Sequence, residues 1–133
     1  MNDRVIRNYG WDCATQGCSD KKNRLKFPEF KKHVPRFKGM TDIDGLIEHR
    51  SHALLLEWKW YPYENQPDIQ TFLKTGQAIA FENLTKTNLF RVLCVAGNAE
   101  DMSVKYFGKW VGGEFTGWVK GDFTELCYHI SQW

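Results

Sequence analysis

The chain has 133 residues and a formal net charge of +2, with 42% hydrophobic, 15% aromatic and 26% charged residues. Such a length fits one domain, and the apolar and aromatic share excludes a chain that stays disordered for want of surface to bury. Four cysteines are too few for a disulfide scaffold, and no signal-peptide core or long apolar span is visible, so a cytoplasmic setting (the host's, if viral) and no membrane partner are expected.

In chain order, residues 1–39 form a basic segment, 40–97 a core, and 98–133 a hairpin and a helix, all read as one domain. Residues 1–40 carry ten Lys and Arg against four Asp and Glu, or +6, which leaves −4 for the remainder of a +2 chain. Phosphate contacts supply most non-specific affinity for nucleic acid, which makes Lys31, Lys32, Arg36 and Lys38 candidate phosphate ligands. Plain solvated surface is the competing reading. Pro28 to His33 reads as a short helix. Cys13 and Cys18 stand near zinc-ligand spacing with His33 as a third candidate, but no second pair accompanies them.

Met40 to Glu48 and Ala53 to Trp60 read as an antiparallel hairpin turning through His49-Arg50-Ser51-His52. Alternation sends Ala53, Leu55, Glu57 and Lys59 to one face and Leu54, Leu56, Trp58 and Trp60 to the other. Both faces are largely apolar, as in a strand covered on both sides, and an α/β layer architecture follows. An ionised Glu57 or Lys59 is costly there unless paired. Two residues apart, the two are expected to find partners elsewhere. Pairing His49 with His52 sets Asp44 opposite Glu57 and Asp42 opposite Lys59, and opposed Cβ atoms lie about 5 Å apart. Two carboxylates at that distance repel unless one takes a proton or both share a cation. The simpler alternative is an edge strand with Asp42 and Lys59 as a structural pair.

Tyr61 to Pro67 is a loop with two prolines, and a helix is predicted from Asp68, its N-cap, with Ile69, Phe72, Leu73, Ile79, Ala80 and Leu84 as the apolar face. A second stripe, Gln70, Lys74, Gln77 and Phe81, faces either solvent or a substrate. Phe90 to Gly97 reads as another buried strand, reached by a crossover. Val104–Trp110 and Gly117–Lys120 form a hairpin around Gly112-Gly113, and Phe123 to Trp133 a helix capped by Asp122 or Thr124. Cys94 and Cys127 read as core residues, as do Trp110, Trp118 and Trp133, for which base stacking is the weaker alternative.

Aspartate, then Glu57-Trp58-Lys59 on the second strand of a hairpin, then helix and apolar strand: this arrangement resembles the PD-(D/E)XK, or restriction-endonuclease-like, nuclease superfamily over roughly residues 40–97. Thr41-Asp42 replaces Pro-Asp, and Gln77-x-x-x-Phe81 is similar to the Gln-x-x-x-Tyr element of RecB-type members. The resemblance implies an αβββαβ core with a mixed sheet flanked by helices. It also implies Mg²⁺ or Mn²⁺ held by an aspartate, Glu57 and the Trp58 carbonyl; the resemblance fits either Asp44 or Asp42 as that aspartate, and the hairpin register ranks Asp44 first with Asp42 kept in the site. Lys59 would orient or deprotonate the attacking water, Gln77 would sit over the metal, and Lys74 or Gln70 would touch phosphate; Glu29 could stand for the family's helix-borne glutamate. The implied activity is phosphodiester hydrolysis, in DNA sooner than RNA, by a phage-like nuclease that dimerises or works in a larger assembly. A non-catalytic binder on the same fold and a junction resolvase are the alternatives.

Overall fold

The computed structural model describes residues 32–33 and 43–133. The chain divides after residue 40, and all of the architecture below belongs to the second unit. Lys32 and His33 are helical, in keeping with the short helix expected there. Cys13, Cys18, Glu29, Lys31, Arg36, Lys38 and Asp42, candidates from the sequence, lie outside the described residues.

The elements run β1 (Gly45–His49), β2 (His52–Trp60), α1 (Ile69–Phe72), α2 (Thr75–Thr85), β3 (Phe90–Asn98), β4 (Ser103–Val111), β5 (Glu114–Lys120) and α3 (Phe123–Ser131). The strands form one mixed sheet in the order β1-β2-β3-β4-β5. Among the described strands only β2 and β3 are parallel, because among them only these two are joined by helices; two-residue turns leave β1–β2 and β4–β5 antiparallel. The fold is therefore α/β with a mixed sheet.

The first hairpin has the register its turn demands, from His49 opposite His52 to Gly45 opposite Leu56. Arg50 and Ser51 both take positive φ, 52° and 68°, the handedness that matches the twist of two strands joined by a two-residue turn. Neither is glycine, so the turn is held by side chains: Glu48 Oε2 accepts from the Ser51 amide at 2.9 Å, and Arg50 O lies 3.0 Å from His52 Nδ1.

Alternation along β2 divides the core as predicted. Leu54 packs with Leu93, Val95, Val104, Phe107 and Leu126 of α3 on one face; Leu55 packs with Leu73, Phe81, Val92, Cys94 and Trp110 on the other, beneath α1 and α2. Trp110 is buried and Trp118 and Trp133 are packed against these clusters, so all three serve packing. Asp122 caps α3 by accepting from Glu125 N at 2.9 Å, and Glu125 Oε1 accepts from Asp122 N at 2.9 Å.

Two expectations fail. The helix from Asp68 is broken: Asp68 caps α1, but Leu73 and Lys74 are extended before α2 begins. The break turns Leu73 and Phe81 inward, so Ile79 and Leu84 are exposed and Phe81 leaves the polar stripe. Cys127 is exposed too, since α3 turns Leu126 to the sheet. No described helix is long and apolar enough to cross a membrane.

Candidate active site

The acidic end of the hairpin lies where β1 stops and β2 continues. Asp44 immediately precedes β1, and its amide donates to Leu56 O at 3.1 Å. Beyond that point β2 has no strand on its β1 side among the described residues, and its next free amide there, Trp58 N–H, donates to Asp44 Oδ2 at 2.7 Å. The side chain thus stands in for a missing strand, and the bond fixes it beside Glu57. In a strand the N–H and C=O of one residue point to the same edge, so the Trp58 carbonyl also faces this end of β1.

Glu57 is only 5% exposed, on the α1/α2 face of the sheet. Its Oε2 receives two donors, Gln77 Nε2 at 3.0 Å and Lys59 Nζ at 3.2 Å. Gln77 is placed by the first turn of α2, where its Oε1 accepts from the Lys74 amide at 3.3 Å and so fixes the side chain from its other end. Burial pushes the Glu57 carboxyl above its ordinary value of 4.5 and the Asp44 charge pushes the same way, against the smaller opposing effects of Lys59 and Gln77. A buried carboxylate with a second carboxylate beside it is a site short of positive charge.

Asp44, Glu57, Lys59 and Gln77 thus meet at one place. Lys59 departs from expectation by bonding Glu57 directly: two residues of strand span about 6.6 Å, and the four-carbon stem of lysine covers the gap. Gln70 sits on α1 and Lys74 caps α2, both exposed. The extended break between the helices separates them from the stripe they were expected to share with Gln77, and neither side chain bonds Glu57. Beyond the predicted site residues, Trp60 to Gln66 also border the site, and their sequence signal is a dense run of aromatic and amide side chains directly after Glu57-x-Lys59.

A divalent cation fits the donor set. Both donors to Glu57 fall on Oε2 and the donor to Asp44 falls on Oδ2, so among the described residues Glu57 Oε1 and Asp44 Oδ1 keep their lone pairs unclaimed. These are hard oxygens, suited to Mg²⁺ or Mn²⁺. The described residues contain no cluster of three or more His, Cys, Asp or Glu able to hold a metal; two carboxylates are the complement Mg²⁺ commonly takes when water and substrate phosphate fill the rest.

No family model, characterised protein or solved structure matches the chain.

Proposed function

We propose that the protein is a divalent-metal-dependent nuclease with a restriction-endonuclease-like core, hydrolysing phosphodiester bonds in DNA. The observation that carries this reading is the convergence on one buried carboxylate, Glu57, of an acid from the residue leading into β1, an amine from β2 and an amide from α2. An α/β mixed sheet in which two parallel strands flank a helical crossover is compatible with that core.

When bound, Mg²⁺ or Mn²⁺ lowers the pKa of a water and neutralises charge developing on the phosphate. Asp44 and Glu57 would hold it through the oxygens that face no protein donor, with the Trp58 carbonyl as a further ligand. Gln77 keeps the Glu57 carboxylate in one orientation. Lys59 offers an ammonium: in the absence of substrate it rests on Glu57, and with substrate it would orient the attacking water, whose proton passes to bulk water. The basic residues 1–40 would supply sequence-independent attraction to the nucleic-acid backbone.

The test is incubation of purified protein with single-stranded, duplex and branched DNA, with Mg²⁺ or Mn²⁺ and then with chelator. Cleavage should vanish in chelator and in Glu57→Ala and Lys59→Ala. Binding without cleavage across every substrate and metal would replace the enzyme by a non-catalytic binder; paired symmetric nicks confined to branched DNA would make it a resolvase.

A further inference from the structure

The chain leaving β2 forms a cleft of about 510 Å³ beside Lys59, walled by Trp60, Tyr63, Asn65, Gln66 and Phe72. Its loop is fixed from behind. Lys105 Nζ donates to Pro62 O at 2.9 Å and to the Glu64 carboxylate at 2.6 Å, Tyr106 OH donates to Glu64 O at 2.8 Å, and Tyr61 OH donates to Asn65 O at 2.7 Å. The Tyr61 ring meets Tyr63 edge-on at 5.2 Å and Tyr106 at 6.5 Å, and Pro67 is buried beneath. Yet the side chains the loop presents are unspent. Trp60 is 71% and Tyr63 61% exposed, and the Asn65 and Gln66 amides bond no described residue. A backbone pinned this firmly around idle aromatic and amide groups is organised for a ligand.

The lining specifies which ligand. Flat π faces stack on bases of any sequence, and amides pair with base edges. Phosphate is a poor occupant: Asp68 contributes a carboxylate, and Lys59 is the cleft's one cation among its described lining residues, already bonded to Glu57. Lys59 lines the cleft and bonds Glu57, so a strand whose phosphate lies at Glu57 has its adjoining base at the mouth of this cleft, with Trp60 at the rim where β2 ends. We propose that this cleft takes the unpaired nucleobase next to the scissile phosphate and makes the protein selective for single-stranded or locally opened nucleic acid. The assignment of the phosphate rests on the nuclease reading; the base site does not. A base held in a duplex has both its faces and its edge engaged and must first leave the stack.

The test measures binding of a fluorescein-labelled single strand and of the blunt duplex in chelator by anisotropy, and cleavage in Mg²⁺ or Mn²⁺ of strands with an abasic site moved one position at a time. Trp60→Ala and Tyr63→Ala should each weaken single-strand binding about tenfold with duplex binding unchanged. Trp60→Phe, which keeps a π face, should restore most of the loss. An abasic site beside the cut should slow wild-type cleavage and cause no further loss in Trp60→Ala, as expected for two halves of one contact. Because Trp60 is exposed, Trp60→Ala and Trp60→Phe should melt as wild type does, whereas Tyr63→Ala gives up its edge contact with Tyr61 and should melt slightly lower. Single-strand binding unaffected by Trp60→Ala, or an abasic strand cut as fast as an intact one, overturns the proposal while leaving a nuclease in place. Trp60-dependent single-strand binding with no cleavage under any metal supports the base site and removes the nuclease.

Discussion

Glu57 governs the chemistry of single residues here, because its ionised form is opposed by burial and by Asp44 together. A carboxyl whose pKa is raised in the folded state binds protons more tightly there than in the unfolded chain, so its stabilising contribution is complete below about pH 4.5 and is lost as pH rises through the higher, folded value. In chelator, Glu57→Gln should therefore match or trail wild type at low pH and overtake it as pH rises towards neutrality, with thermal melting as the measurement. Mg²⁺ or Mn²⁺ should reverse the order by stabilising only the wild type. A wild type that stays the more stable across the whole range without metal would mean that the Lys59 and Gln77 bonds outweigh the burial cost. Gln77 acts through Glu57, and loss of such an outer partner typically lowers metal affinity or activity 10- to 100-fold. Gln77→Leu should accordingly raise the metal concentration needed for half-maximal cleavage; a change in melting temperature with an unaltered metal requirement would reduce Gln77 to a helix-capping role.

At the scale of elements, the hairpin was legible because a two-residue turn leaves one register, and that register alone brings Asp44 to Glu57. The parallel β2–β3 pair was legible from two apolar runs separated by a helical stretch. The break between α1 and α2 was not: periodicity reports which residues share a face only while the backbone stays helical, and nothing in Leu73-Lys74 resembles a glycine or proline stop. Its cause is tertiary, since turning the chain there buries Leu73 and Phe81 together. The Lys59–Glu57 bond was hidden for a different reason, as Cβ spacing is a poor guide to the reach of lysine. One contact fixes where α2 ends: fully buried Thr85 donates its hydroxyl to Phe81 O at 2.7 Å and accepts from the Gly113 amide at 3.1 Å, tying the helix to the β4–β5 turn. Thr85→Val keeps the shape but strands that amide, and unfolding in denaturant should show a loss of about 1–3 kcal/mol. A neutral substitution would mean that the amide finds water instead.

For the whole molecule, charge is divided along the sequence: residues 1–40 carry +6 and the rest −4. On the nuclease reading, the negative part includes the carboxylates that would repel phosphate until a cation is bound, and affinity for nucleic acid would come from elsewhere in the chain. Each phosphate neutralised on a single strand contributes a slope of about −0.7 to log K against log salt concentration. If Lys31, Lys32, Arg36 and Lys38 all contact phosphate, replacing the four with alanine should flatten the slope by up to about 3 and weaken binding evenly across sequences. Trp60→Ala, by contrast, should leave the slope unchanged while lowering affinity at every salt concentration, because stacking releases no counterions. Titrations of both variants over a range of salt concentrations separate the two contributions, and a slope unchanged by the quadruple substitution would show that those four residues neutralise no phosphate.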